Sequence, residues 1–335
     1  MVRKTKKKMP FFYKIKTLKN KHNIKTYKIG TDCSGIEAPI QALKLLNVKL
    51  NHIFSSDIDK FCIQFIKQNY NPKIIYNDIT KRNHKEVPYI DIYVAGFPCQ
   101  AFSSQSAGKR KGFDDARGTI FFHCLETIKN TKPKIIILEN VKGLLTHDNG
   151  NTFKVIINKL KGLKIYNIYY KLLNTKHFGI PQNRPRIFII CIKKTIQKKE
   201  FIFPKEEIFN YNITNYLTTN RNKKYRQITP HMKNIIKRSN IKETDNWIIN
   251  VNSSLPEFST KMKNISPCLL AGNSAFYISS KKRKFTEQEA LMLQGFPSDI
   301  NINNIPRSQL YKQAGNSMSV NVLSFLFNEI FKSII

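Results

Sequence analysis

A cysteine and a glutamate carry the chemistry that this sequence offers most plainly. Gly96-Phe97-Pro98-Cys99-Gln100 sets a thiol in a turn after the apolar run Ile90–Ala95. Pro98 restricts that turn and presents Cys99. A thiolate is a strong nucleophile, although an isolated cysteine is more often a small buried apolar residue. Glu139 follows the run Ile135–Leu138, precedes Asn140-Val141 and offers a carboxyl for proton transfer. Gln182-Asn183-Arg184-Pro185-Arg186 leads into the run Ile187–Cys191. Two arginines beside a sheet edge suit a base carbonyl and a phosphate; on a basic chain they also fit a solvated pair.

A second group suits a nucleoside ligand. Thr31-Asp32-Cys33-Ser34-Gly35-Ile36-Glu37-Ala38-Pro39 is a small, glycine-bearing turn after the first strand. Such a turn lets a nucleotide-like ligand approach the backbone, and an acid near the end of the next strand holds ribose hydroxyls. Asp57 follows Gly35 at close to the usual spacing of ~20 residues, and Asp78 suits an adenine amino group. The full G-x-G-x-x-G is absent, which counts against a pyrophosphate-bearing dinucleotide. S-adenosyl-L-methionine has no phosphate and tolerates the loss.

These residues need a scaffold that brings them to one edge. Short apolar runs at Tyr27–Ile29, His52–Ser55, Ile74–Tyr76, Ile90–Ala95 and Ile135–Leu138 alternate with amphipathic stretches, one ending at Leu46 and another spanning Lys60 to Asn69. The alternation predicts a parallel, doubly wound α/β sheet. Asp57, Asp78, Cys99 and Glu139 then fall just past strand C-termini, where open sheets bind ligands. Any one of them serves equally as a cap or turn residue; four together point to a site. The segment Ser103–Gly118 fits a mobile loop over that site or a plain surface loop. From 194 to 284 the periodicity fades into Asn-, Lys- and Tyr-rich sequence holding the only tryptophan, Trp247, as in a second, smaller domain. Thr286 to Glu289 predicts a capped helix start, and Gln313–Phe327 a glycine-containing turn followed by an apolar helix.

Composition bounds the reading. Lys and Arg number 57 against 22 Asp and Glu, a net charge of +35, which favours a polyanionic partner. Richness in Lys, Asn and Ile also reflects A·T-rich codons. A hydrophobic share of 41% in 335 residues excludes wholesale disorder. No apolar run approaches the ~18 residues of a membrane span, and lysines interrupt the start before a signal-peptide core forms. The six cysteines are scattered without a C-x-x-C pair, which points away from zinc and disulfides and toward a reduced, cytoplasmic setting.

Pro98-Cys99-Gln100, Glu139-Asn140-Val141, Gln182 to Arg186 and Gln313-Ala314-Gly315-Asn316-Ser317 stand in an order that resembles one family, the cytosine-5 DNA methyltransferases. The resemblance covers the chain from Tyr27 on, except about 194–265. It implies a Rossmann-like S-adenosylmethionine methyltransferase sheet with a small, irregular target-recognition domain. The implied division is a basic arm at 1–26, a catalytic domain at 27–193 and 285–335, and target recognition at 194–284. It implies Cys99 as nucleophile, Glu139 on the ring nitrogen and amino group, and Arg186 on the base carbonyl with Arg184 nearby. S-adenosyl-L-methionine would fall among Cys33, Ser34, Gly35, Ile36, Asp57, Ile58, Asp78, Ile79, Pro98 and Asn316. Thr286–Pro297 resembles the helix that braces the two lobes. The implied setting is a monomer on double-stranded DNA, with a possible cognate restriction endonuclease and no membrane, in the cytoplasm at the nucleoid or in the nucleus of a eukaryotic host. The sequence departs from the family where Thr31 replaces Asp, Glu37 replaces Gly, Asp57 replaces Glu, and Cys268 replaces Thr. Competing readings are the RNA-methylating branch, a non-catalytic nucleic-acid binder on the same fold, and a nicotinamide-dependent oxidoreductase.

Overall fold

Apolar runs whose side chains alternate into two separate clusters build the central sheet. In the computed structural model, which describes residues 25–98, 119–219, 222–271 and 276–335, its strands are β1 (Tyr27–Asp32), β2 (Leu50–Ser56), β3 (Ile74–Tyr76), β4 (Ile92–Ala95), β5 (Ile135–Val141), β6 (Tyr166–Asn174) and β7 (Pro185–Lys193). Their order is β3-β2-β1-β4-β5-β7-β6. Cys99, the segment 103–118 and the arm through residue 24 lie outside the described residues. Ile135 and Ile137 face one apolar cluster while Ile136 and Leu138 face the other. Both faces are covered, which is why β5 reads as an unbroken hydrophobic run. Helices α1 (Ala38–Leu45) and α8 (Val320–Ile334) cover the first face; α3 (Ile120–Thr131) and α4 (Asn151–Lys161) cover the second. Helix α2 (Lys60–Asn69) starts where Asp59 accepts the Phe61 N–H at 2.9 Å.

Three expectations are corrected. The sheet is not wholly parallel: β1 to β5 are, but β7 runs antiparallel between β5 and β6. A single 3-10 turn at Thr175–Phe178 lies in the connection from β6 to β7. Without a crossover helix the chain can only return antiparallel. Second, β5 continues to Val141, so Glu139 lies inside the strand and not past its end. The reason is its partner, since β7 pairs along the whole length with Glu139 opposite Phe188 and Val141 opposite Arg186. Third, Gln313 to Asn316 are not a turn but the last residues of α7 (Arg307–Asn316), and the break before α8 falls at Ser317–Ser319.

The region 194–284 builds a second sheet from β8 (Trp247–Asn250), β9 (Lys261–Lys263), β10 (Phe276–Ile278) and β11 (Arg283–Lys284), in the order β11-β10-β8-β9 and antiparallel throughout. Helix α5 (Pro230–Arg238), capped by Thr229, packs Ile235 against Ile249, Val251 and Tyr277. The region is not a separate globule. Phe201, Ile213, Ile248 and Phe276 join the apolar cluster that lines the main sheet.

A buried ion pair ties the two parts further. Helix α6 (Glu287–Met292) opens with a capping box of Thr286 and Glu289. Glu289 also accepts from Arg283 at 2.7 Å and from the Thr218 N–H at 2.6 Å, with both charged side chains fully or almost fully buried. Arg283→Met leaves that carboxylate without its cation. It should lower stability in urea unfolding by about 3–5 kcal/mol. The exposed Lys263–Asp245 pair is the control, and Lys263→Ala should cost under about 1 kcal/mol.

Candidate active site

Antiparallel pairing of β5 with β7 places Glu139 and Arg186 on one face of the sheet, diagonal to each other. Arg186 Nε lies 3.2 Å from Glu139 Oε1. Glu139 is 8% exposed. Burial raises its carboxyl above the ordinary range, opposed first by Arg186 and then by Arg184. The next residue, Asn140, donates from Nδ2 to the Phe97 carbonyl at 3.1 Å. That bond fastens β5 to the Gly96-Phe97-Pro98 turn. A Cβ on Gly96 would meet the flexible end of Met318 (Cε) at 2.7 Å and lie 3.6 Å from Glu139 Oε2, so the turn passes close beside the carboxyl. Cys99 continues from that turn.

Arg184 does not stand beside Arg186 over the sheet. It is 2% exposed and bound to backbone on three sides. Its Nη2 donates to the carbonyls of Gly315 (2.9 Å) and Ser317 (2.7 Å), and its Nη1 donates to that of Leu269 (3.1 Å). Gln182, also fully buried, accepts the Leu269 N–H at 3.2 Å and donates to the Leu293 carbonyl at 2.6 Å. The segment 182–186 therefore anchors the loop near Cys268, the end of α6 and the end of α7.

On the same edge, Cys33 and Gly35 hold φ of 49° and 55° in the turn after β1. Nothing lies within 4 Å of a Cβ placed on Gly35. The Asp57 carboxylate accepts the Gly35 N–H at 2.8 Å and the Asp59 N–H at 2.9 Å. Burial raises the Asp57 carboxyl, and those two N–H groups oppose the rise. Ile58 beside it is 81% exposed. Asp78 accepts the Thr80 hydroxyl and N–H, which hold it below the usual carboxylate range. Asn316 is exposed at the end of α7, and Pro98 is half-buried. Ser34, Ile36 and Ile79 turn inward. The Ser34 hydroxyl accepts the Ser56 N–H at 2.8 Å, and the two isoleucines are core residues.

A glutamate held on an arginine, a glycine turn fastened beside it, and an open acid-bearing cleft at the neighbouring strand ends now share one sheet edge. Compared with known proteins, residues 32–332 match the C-5 cytosine-specific DNA methylase family. The chain belongs to that family. It is 39% identical over 285 residues to the type II methyltransferase M.NgoBI of Neisseria gonorrhoeae, covering 81% of this chain and 83% of that one. It is 36% identical over 323 residues to M.HaeII of Haemophilus aegyptius, covering 92% and 93%. Among solved structures, the Entamoeba histolytica methyltransferase EhMeth aligns with a TM-score of 0.70 at 19% identity, over 93% of this chain and 99% of that one, which shows the shared fold.

C-5 cytosine methylases draw the methyl group from S-adenosyl-L-methionine. The cleft around Gly35 fits that molecule, with open space over the glycine, an acceptor-rich carboxylate at Asp57 and an exposed apolar side chain at Ile58.

Thr31 and Glu37 are joined inside the fold. The Thr31 hydroxyl donates to Glu37 Oε1 at 2.6 Å, and the Ser55 hydroxyl reaches the same oxygen at 2.5 Å. Glu37 thus sets a buried carboxylate at the foot of the turn. Sequence reasoning missed the other support. Asp32 is buried and accepts both terminal nitrogens of Arg82, at 2.7 and 2.6 Å, and the Tyr93 hydroxyl. Nothing local in the sequence pairs residues so far apart. Arg184→Lys keeps a charge but replaces a planar fork with a single point donor. It should destabilise the protein by about 3 kcal/mol, measured by urea unfolding.

Proposed function

We propose that this protein transfers a methyl group from S-adenosyl-L-methionine to carbon-5 of a cytosine in a specific sequence of double-stranded DNA, through a covalent bond to Cys99. The observation that carries the reading is the buried Glu139 held on Arg186 and fastened, through Asn140, to the turn that leads into Cys99. In this reading residues 27–193 and 285–335 form the catalytic domain, and 194–284 selects the target. A net charge of +35 suits the DNA backbone. A monomer in the cytoplasm, paired with a cognate restriction endonuclease, completes the proposal.

Cytosine carbon-5 is a poor nucleophile, and it is inaccessible in a stacked duplex, so the base must swing out into the pocket. Cys99 Sγ forms a bond to carbon-6, which moves electron density to carbon-5. Glu139, whose carboxyl burial raises above its ordinary range, places its proton at the ring nitrogen and so stabilises the adduct. Arg186 holds the base carbonyl, and Arg184 acts behind it by fixing the backbone on which the pocket is built. S-adenosyl-L-methionine, when bound, supplies an electrophilic methyl group. Loss of the carbon-5 proton to solvent, release of Cys99 as the thiolate and return of the ring-nitrogen proton to Glu139 then restore the aromatic ring. Gly35, Asp57, Ile58, Asp78 and Asn316 hold the cofactor, while Ser34, Ile36 and Ile79 hold the cleft itself.

Labelled methyl transfer to duplex DNA and to transfer RNA, followed by nucleoside analysis, tests the reading. Methylcytosine in DNA alone is expected; label in RNA alone would overturn the substrate. Glu139→Gln should cut kcat by about 10²–10⁴-fold with DNA binding intact. Because the raised Glu139 must be protonated to act, wild-type kcat should fall as pH rises through its pKa, a limb that the glutamine variant lacks. Cys99→Ser should fold, bind cofactor and DNA, and transfer nothing. Surviving transfer would refute the covalent scheme.

A further inference from the structure

Cys268 has surroundings unusual for a cysteine. Its sulfur accepts from Arg184 Nη1 at 3.4 Å and from Arg186 Nη2 at 3.8 Å, and lies 3.5 Å from the Leu269 carbonyl. The backbone on both sides is strapped to the arginine segment. Ser266 exchanges backbone hydrogen bonds with Pro181 and Asn183, and the Leu269 N–H donates to Gln182. The backbone that carries the sulfur is therefore held beside the two guanidiniums.

We propose that Cys268 is a positioning residue of the methyl-transfer site, whose sulfur bridges Arg184 and Arg186 and thereby sets the Arg186 guanidinium against Glu139. The inference rests on the reading above, in which Glu139 and Arg186 hold the base. It differs from a DNA contact, because the sulfur faces the arginines.

The size of sulfur is what makes the bridge work. A hydroxyl needs its partners within about 2.7–3.2 Å and sits on a shorter bond, so from this backbone it reaches one guanidinium and not both. Charge acts in the same direction. Arg186 and Arg184 are the charged groups that act on Glu139 among the described residues, and the same two act on Cys268. Two cations thus face one carboxylate, and the electron-rich sulfur is the other group that offsets them. Burial pushes the Cys268 thiol up, but Arg186 and Arg184 outweigh it and hold the thiol below its usual range.

Steady-state kinetics of Cys268→Ala and Cys268→Ser across a pH series test this beside wild type. Cys268→Ala should lose about 10–100-fold in kcat, the scale of a small misplacement at a reacting centre, with KM for DNA within about two-fold by the same reasoning. Its high-pH limb should move to lower pH, because Arg186, no longer shared with the sulfur, favours the Glu139 carboxylate more strongly. Cys268→Ser, which restores one of the two contacts, should recover part of kcat and carries the test if the alanine variant does not fold. An unchanged kcat and limb in both variants, or a raised KM for DNA at wild-type kcat, would overturn the proposal.

A second measurement needs no catalysis. In Cys99→Ser protein, iodoacetamide labelling of Cys268, read by peptide mass spectrometry, should rise with pH earlier in the folded chain than in the denatured chain. A limb at or above the denatured one overturns the proposal. Wild-type protein that transfers no methyl group while Cys268 labels as expected would instead defeat the functional reading and leave the arginine–sulfur contact standing.

Discussion

The pairing of β7 between β5 and β6 is the constraint on which the rest of the site depends. A parallel strand at that place would carry Arg184 and Arg186 to the opposite edge of the sheet, far from Glu139. Running antiparallel, β7 begins where β5 ends, so the arginine segment arrives at the carboxyl through strand register alone. Because side chains alternate with a period of two, a slip of one residue would turn Arg186 to the other face. The apolar residues Ile187 to Ile192, divided between two buried clusters, make such a slip costly. Core packing thus holds the catalytic register.

Electrostatics inside that register are a contest between desolvation and charge. Glu139 is buried enough that its ionised form is disfavoured, yet two guanidiniums face it. A carboxyl with no cations nearby would simply be neutral, and one with fully exposed cations would simply be ionised. Here burial wins without removing the arginines. In the proposed mechanism the carboxyl gives its proton to a ring nitrogen while an arginine stays beside it for the carbonyl. Arg184 meets a different demand. Its hydrogen bonds to Leu269, Gly315 and Ser317 join three stretches of chain that are remote in sequence.

The same logic couples the region 194–284 to the main sheet. Its aromatic and aliphatic residues share one apolar cluster with β1, β4 and β5, and Glu289 is held at once by Arg283, Thr218 and its own helix cap. A separate module on a flexible tether would need neither. The shared core means that the smaller sheet is placed relative to Glu139 by packing.

Much of this was readable in the residues. Alternating apolar runs announced the sheet, the span Lys60 to Asn69 was recovered residue for residue, and Thr286 with Glu289 announced the cap of α6. Glu139, Arg186, Gly35 and Asp57 could be named because their motifs are local. The direction of β7, the length of β5 and the helical state of Gln313 to Asn316 were not readable, since each depends on a partner strand or on packing from elsewhere. Arg184 shows the limit most clearly. Its sequence neighbourhood offers two equivalent arginines, and only the fold buries one against backbone carbonyls from residues 269, 315 and 317 while leaving the other at the carboxyl. Local composition and spacing determined which chemical groups the chain carries and which short elements hold them. Their roles were decided by contacts between distant segments, because burial and partner distance set a side chain's charge and its hydrogen bonds, and neither exists until the chain has folded.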